Sequence, residues 1–302
     1  MKSFLTRQRQ EGFFSIRFKS SAGKLTAAQL MAIHGLAEKF GDGFITLTGR
    51  QEISIPFVRK EDFEAIKTFG AENGLQISPV GTIFKQVTAC QGTRSCVAGI
   101  IDSPKIALEL DNRHGGRELP CKITCSLTGL DLRDINADLV ERNTTLEKQV
   151  QYYEQLRKIT CSVTGCPNNC MKVEGNDIGI KGAIEPQFIA ENCIYCGACQ
   201  KICPVAAIFV GRNQKIWTID RDKCINCGRC IKVCRKAALR GEVGFKIYFA
   251  GKNFLPMIRD EETLYKIIDA ALKYFEENAK PRERFGKLLE RLGTENFLAA
   301  LK

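Results

Sequence analysis

Two cysteine runs constrain this 302-residue chain more than any other feature of its sequence. Residues 193–204 read CIYCGACQKICP, and residues 224–234 read CINCGRCIKVC. Each has the spacing C-x2-C-x2-C-x3-C. Three thiolates this close together can wrap three irons of one [4Fe–4S] cube, while the fourth reaches a neighbouring cube. The pattern therefore predicts one cluster on Cys193, Cys196, Cys199 and Cys234. A second is predicted on Cys224, Cys227, Cys230 and Cys203. Arg235 stands where a proline usually follows such a run. Structural zinc is the rival reading, and two copies of this four-cysteine spacing disfavour it.

A further constellation lies upstream. Cys90-QGTRS-Cys96 is C-x5-C, and Cys166-PNN-Cys170 is C-x3-C, preceded by Thr164-Gly165. Four thiolates in two pairs suit a third [4Fe–4S] cluster. The chain has 15 cysteines, an odd count in a long sequence, which does not fit a disulfide scaffold. Its opening MKSFLTRQRQ has no apolar signal core, and no apolar run approaches the roughly 18 residues of a membrane span. A reducing cytoplasm is expected, where thiols bind metal more often than one another. The formal charge of +11 counts every cysteine as neutral, and metal-bound thiolates would lower it. The basic residues thus read as partners for anionic cofactors and a small anionic substrate rather than for nucleic acid. Gly175-NDI-Gly179-IK-Gly182 lacks the spacing of a dinucleotide fingerprint, so nicotinamide or flavin chemistry falls to a partner.

Periodicity organises the rest. Phe14, Ile16 and Phe18 mark one face of a strand, and Leu30, Ile33, Leu36, Ala37 and Phe40 mark a helix starting near Thr26. Ile45 and Leu47, then Ile53, Ile55 and Phe57, predict two strands divided near Gly49-Arg50. A helix over about 60–72 and a short strand at 75–77 complete a β-α-β-β-α-β order, the split βαβ arrangement. Residues 122–129 (KITCSLTG) recur as residues 158–165 (KITCSVTG). Between the copies, Leu132, Ile135, Leu139, Leu146, Val150, Tyr153 and Leu156 predict a long amphipathic helix. It would pack on its own subunit or form a coiled-coil seam with another. A strand at 245–249, a helix at 261–277 and a final helix carrying Phe285, Leu288, Leu289 and Leu292 close the chain.

Several of these segments together resemble the siroheme-dependent sulfite and nitrite reductase family. They are TGCPNNC (164–170), ACQGTRSC (89–96), LTGRQEISI (47–55), FSIRFKSSAGKLTAAQL (14–30) and the tail from Gly244 through RERFGKLLERLG (282–293). The likeness covers nearly the whole chain. It is strongest to small single-repeat members with an inserted two-cluster ferredoxin domain, the type of the anaerobic sulfite reductase catalytic subunit. It implies an α+β fold. A ferredoxin-like half domain would occupy 1–80, and the first part of a siroheme/[4Fe–4S]-binding α+β domain 81–188, with the repeat and a helical insertion near 123–158. The 2[4Fe–4S] ferredoxin domain would occupy 189–240 and the rest of the siroheme domain 241–302.

The resemblance also implies roles. Cys90, Cys96, Cys166 and Cys170 would ligate the third cluster, and Cys170 would bridge it to the siroheme iron. Arg17 would reach the bound anion, Lys85 would be a second basic group, and Arg50 would hold siroheme carboxylates. The family often has a K-x-K pair before the cysteine motif. Here each repeat copy keeps one lysine, Lys122 or Lys158, with threonine at the second place, so either lysine can be the active-site cation. The loop AGKNF (250–254) is shorter than the family's glycine-rich loop. Cys121, Cys125 and Cys161 have no family role and read as buried thiols or by-products of the repeat.

The activity implied is six-electron reduction of sulfite to sulfide, with electrons relayed through the clusters. Nitrite reduction is the alternative, and a catalytically silent iron–sulfur electron carrier is a third reading. The implied partners are the small oxyanion and an electron-donor protein, either a ferredoxin or a partner reductase subunit. A homo- or hetero-oligomer stays open.

Overall fold

Alternation of apolar and polar residues builds the N-terminal unit. The structure, a computed structural model, describes residues 4–79, 84–115, 159–280 and 283–301. Strands β1 (Leu5–Arg7), β2 (Phe13–Phe18), β3 (Thr46–Leu47) and β4 (Ile53–Arg59) form an antiparallel sheet in the order β1-β2-β4-β3. Cross-strand pairing sets Ile16 opposite Ile55 and Phe18 opposite Ile53, so all four share one face. Helices α1 (Ala27–Phe40) and α2 (Phe63–Glu72) bury that face with Ile33, Leu36, Ala37 and Ile66.

Helix α1 starts at a reciprocal capping box. Thr26 Oγ1 accepts the Gln29 N–H at 3.1 Å, and Gln29 Oε1 accepts the Thr26 N–H at 3.0 Å. Leu30, expected on the buried stripe, is 51% exposed, because the apolar face turns on Ala32, Ile33, Leu36 and Ala37 instead. The expected strand at 75–77 is reduced to one antiparallel bridge, Ile77 to Phe18. The Lys19 N–H to Gln76 and Ser78 N–H to Arg17 carbonyl bonds flank it.

In the second unit, β5 (Thr88–Ala89), β6 (Cys161–Thr164) and β7 (Ile178–Ile184) run parallel. The second repeat copy leads directly into this sheet, since Ile159 bridges Phe84 and the Lys85 N–H donates to the Ile159 carbonyl at 3.0 Å. Lys122, Lys158, the first copy and the helix expected between the copies lie outside the described residues. Helix α3 (Ser103–His114) packs on the sheet, with Asp102 capping it by accepting the Lys105 N–H.

The chain then leaves the sheet for a small module. It contains β8 (Gln187–Phe188), α4 (Ala198–Ile202), the hairpin β9 (Ile208–Gly211) and β10 (Ile216–Ile219), α5 (Arg229–Val233) and β11 (Leu239–Arg240). Its halves repeat at the backbone level. Tyr195 and Asn226, and Gly197 and Gly228, occupy matching places in the two cysteine runs, and Ala206 and Ala237 matching places just after them, all with positive φ. Ile208, Leu239 and Cys230 form its small core, beside Phe188 stacked on Trp217 at 4.5 Å. A core this small needs cross-linking by metal or disulfide to hold by itself.

β12 (Val243–Phe249) returns to the main sheet antiparallel to β7. Helices α6 (Glu261–Asn278), α7 (Phe285–Leu292) and α8 (Thr294–Ala300) seal the main core. Phe285 is fully buried, stacked on Phe249 and Phe275 and edge-on to Phe297. Among the described residues no helix is long and apolar enough to cross a membrane.

Candidate iron-sulfur and cofactor site

Parallel pairing sets the upstream cysteines side by side. Ala89 pairs with Val163, so the loops leaving β5 and β6 emerge at the same sheet edge with Cys90 and Cys166 at their starts. The Gly165 N–H donates to Cys90 Sγ at 3.0 Å, and the Ser103 hydroxyl lies 3.3 Å from the same sulfur. Burial alone would raise the Cys90 thiol. The Ser103 hydroxyl and the Gly165 and Gly92 amides outweigh it and hold the thiol below its ordinary value. A sulfur so surrounded is prepared to be a thiolate ligand.

Burial pushes Cys166 up, and charges on Cys90, Cys96 and Cys170 add to the effect, so the four sulfurs share one electrostatic site. Small residues allow the loops to close. A Cβ on Gly165 would lie 2.8 Å from Gly92 Cα and 3.4 Å from Cys90 Sγ, and one on Gly182 would lie 2.5 Å from the Gly165 carbonyl. Cys96 and Cys170 are exposed, and Val97 beside them is 96% exposed, so one side of the site is open.

The module brings the second predicted set together. A small cleft is lined by Cys203, Cys224, Cys227 and Cys230, with Pro186 among its walls. Burial, followed by the neighbouring Cys227 and Cys224 charges, pushes Cys230 up to about 12. Of the first set, Cys199 and Cys234 both pack against the small core, and Cys193 bears electrostatically on Cys199. Backbone amides already point at sulfur: Tyr195 N–H to Cys193 at 3.3 Å and Ala207 N–H to Cys203 at 3.2 Å. Among the described residues no three His, Cys, Asp or Glu side chains converge on a single-ion position. A cube gripped at its corners holds its thiolates farther apart than one ion does.

Three basic residues singled out by the sequence differ in their surroundings. Arg17 alternates with Ile16 and Phe18 and so lies opposite the apolar core, with its Nε buried and lacking a hydrogen-bond partner among the described residues. Lys85 is buried, its Nζ 3.3 Å from the Pro79 carbonyl. Arg50 is more committed than its expected role implies. Its Nη2 donates to the carbonyls of Gln86 (2.7 Å) and Cys161 (3.2 Å) and its Nη1 to Asn176 Oδ1 (3.3 Å), leaving Nε buried without a partner. Burial lowers its pKa, against attraction from Cys161, Glu52, Asp111 and Asp177. Arg50 thus joins the half domain to the strands that carry the cysteines.

Gln51, which sequence reasoning does not single out, completes that joint. Its side-chain amide donates to the Ala89 carbonyl at 2.8 Å and accepts the Ala89 N–H at 2.9 Å, one residue before Cys90. The one available signal is its place in the TGRQE segment. Thr160, in the second repeat copy, is held by Asp177 through both its N–H and hydroxyl, and Arg284 holds Asp177 at 2.9 Å. The AGKNF loop is a tight turn, with Gly251 at φ 84° and a Cβ there only 2.9 Å from the Glu174 carbonyl. Cys161 is fully buried and its thiol is pushed up by that burial. Cys121 and Cys125 lie outside the described residues.

Residues 81–302 match the family described as the nitrite and sulphite reductase 4Fe-4S domain, and residues 6–68 match its ferredoxin-like half domain. The chain belongs to the nitrite and sulphite reductase family. Members with similar sequences include one of the anaerobic sulfite reductase polypeptides of Salmonella typhimurium. That relative is 29% identical over 218 residues, covering 68% of this chain and 53% of the relative. A coenzyme F420-dependent sulfite reductase of Methanocaldococcus jannaschii is 27% identical over 305 residues, 98% of this chain and 43% of that one. The chain thus spans about half the length of these curated relatives. An uncharacterized protein of the same archaeon matches over 96% of this chain and 91% of its own length, at 27% identity. Among solved structures, dissimilatory sulfite reductase I superposes with a TM-score of 0.66 at 18% identity, over 96% of this chain and 69% of its own. The family's α+β fold is therefore this chain's fold, with a ferredoxin-like half domain followed by a 4Fe-4S domain.

Proposed function

We propose that the chain is a siroheme-dependent sulfite reductase, with nitrite as the alternative substrate. One observation carries the reading: four thiols gather at the ends of parallel strands, and Cys90 already receives the Gly165 amide and faces the Ser103 hydroxyl. An electron carrier built on the 193–234 module alone has no need of that second, separately constructed site. Siroheme, when bound, would supply an iron at which the anion is reduced by electrons arriving singly.

The chain's own residues do the rest. Cys90, Cys96, Cys166 and Cys170 would hold the third cluster, and Cys170, on the open side, would be the ligand it shares with siroheme. Eight module cysteines hold two clusters that receive electrons. One set is Cys193, Cys196, Cys199 and Cys234, and the other is Cys224, Cys227, Cys230 and Cys203. Arg17 and Lys85 would supply positive charge and hydrogen-bond donors to the bound anion. The unpartnered Nε of Arg17 and of Arg50 are buried donors that fit an anionic ligand and a cofactor carboxylate. Lys158 is the favoured further cation, since its repeat copy runs into β6, and Lys122 is the alternative. The domains divide at 1–80, 81–188, 189–240 and 241–302. An electron-donor protein in the cytoplasm completes the system.

The test is an anaerobic assay with a reduced low-potential dye, following sulfide from sulfite and ammonium from nitrite. Sulfide production at a rate exceeding that from nitrite is expected. Protein with full siroheme that turns over neither anion would refute the enzymatic reading.

A further inference from the structure

β7 and β12 pair so that Lys181 and Lys246 stand directly opposite each other. Like charges at one cross-strand position destabilise a sheet, so the pair needs a reason. Their neighbours Ile180, Phe245 and Ile247 enter the main core. By period-two alternation the two lysines occupy the opposite face.

Each kind of cysteine loop has a contact to β7. Toward the module, the Ile184 N–H donates to the Asn226 carbonyl at 2.8 Å, and Ile184 bridges Cys227, which fastens the Cys224–Cys227 loop to the end of β7. Burial lowers the Lys246 pKa, a thiolate at Cys224 opposes that, Lys181 adds to it, and Glu185 opposes it. Toward the upstream site, Lys181 Nζ lies 2.6 Å from Glu174 Oε1, and Glu174 Oε2 accepts from Asn169 Nδ2, within the Cys166–Cys170 loop. Lys181 is thus tied to the Cys166–Cys170 loop through Glu174, and its strand is tied at its end to the Cys224–Cys227 loop. The two cations are not equivalent. Lys181 is neutralised by Glu174, whereas Lys246 makes no ion pair among the described residues. The nearby acid Glu185 is taken up by Arg259 at 2.7 Å and Arg221 at 3.6 Å.

We propose that Lys246 sets the reduction potential of the cluster on Cys203, Cys224, Cys227 and Cys230, and marks where electrons cross from the module to the upstream site. Adding one electron to a thiolate-bound cluster adds one negative charge, and a fixed, partly buried cation stabilises the reduced form. Each crossing moves one electron from the module site to the upstream site, the external donor protein replaces it, and no atom or proton changes place. The inference rests on reading these cysteines as cluster ligands.

The experiment is a redox titration of the anaerobic full chain, followed by electron paramagnetic resonance, for wild type, Lys246→Gln, Lys246→Arg and Glu174→Gln. Lys246→Gln should make one module cluster about tenfold harder to reduce, a shift of about 59 mV for a single electron. Lys246→Arg should keep the wild-type potential. Glu174→Gln, which leaves Lys181 uncompensated, should raise the potential of the upstream cluster. Unmoved potentials in Lys246→Gln with full iron, equal shifts in every cluster, or an arginine variant that shifts as far as glutamine would overturn the inference alone. Wild-type protein without module clusters would overturn the ligand reading and the inference with it. Should Lys246→Gln fail to fold, Lys246→Met, which keeps the apolar stem and removes the charge, decides: the same shift of about 59 mV is expected and an unmoved potential would overturn the inference.

Discussion

At the scale of single residues, the site combines prepared sulfur with unpartnered cationic donors. Arg17 carries a buried Nε that no described neighbour satisfies, a costly arrangement unless a ligand completes it. Arg17→Ala and Lys85→Ala should each lower sulfite turnover by about 10²–10³-fold, as when one preorganised stabilising group is lost. Initial rates at full siroheme content check this, and wild-type rates would remove these residues from the anion site.

Asp111 offers a pH test. Burial raises its carboxyl to about 6, against the Val87 N–H that it accepts at 3.0 Å and the charges of Lys19 and Arg50. The folded value exceeds the unfolded one of about 3.9, so the native state binds more protons between these limits. Stability should fall as pH rises through about 4 to 6 and stay level above it. Asp111→Asn keeps an acceptor for Val87 and removes the buried charge. It should gain about 1–2 kcal/mol at pH 7 and flatten that slope, as measured by denaturant unfolding at pH 5 and pH 7.

At the scale of elements, the joint between the two units is the loop 48–51. Gln51 acts as a substitute strand residue for Ala89, and Arg50 reaches Gln86 and Cys161. Gln51→Ala leaves both backbone groups of Ala89 without that partner and should destabilise the fold by about 1–3 kcal/mol. Loss of upstream-cluster absorption at lower denaturant than module absorption would show that the joint supports the Cys90 loop. Simultaneous loss would show that it does not.

This joint is not legible in the sequence, because Gln51 meets Ala89 across 38 residues and no local period announces such a contact. The order of helices and strands in the half domain is legible. β2 and α1 carry clean periods of two and three to four, and Thr26 and Gln29 write the capping box. β1, β5 and β8 escape because two or three residues are too few to express a period. The tail's apolar pattern predicts one final helix where there are two, divided at Gly293, whose φ of 83° stops α7. The module is the most legible part, since its cysteine spacing, left-handed turns and cleft follow from one short motif used twice.

At the scale of the whole molecule, two apolar cores are joined by polar contacts, and the cysteine-rich module is inserted between β7 and β12 of the larger one. This layout fastens the module's Cys224–Cys227 loop to the end of β7 and ties the upstream loop to the same strand through Glu174, as the proposed division between electron supply and chemistry requires. Cys227→Ala should therefore abolish reduction by a protein donor while a small dye still supports part of the sulfite turnover. Equal loss with both donors, in folded protein, would make the module structural rather than conductive. The central claim is that one chain holds three cubes and a siroheme, and iron and tetrapyrrole analysis of anaerobically purified protein addresses it directly. The account predicts about twelve cluster irons plus one siroheme iron per chain, with isobacteriochlorin absorption bands that vanish in Cys170→Ser. Iron near eight per chain, by the same count of about four per cube, with no such bands would contradict it and leave an electron carrier.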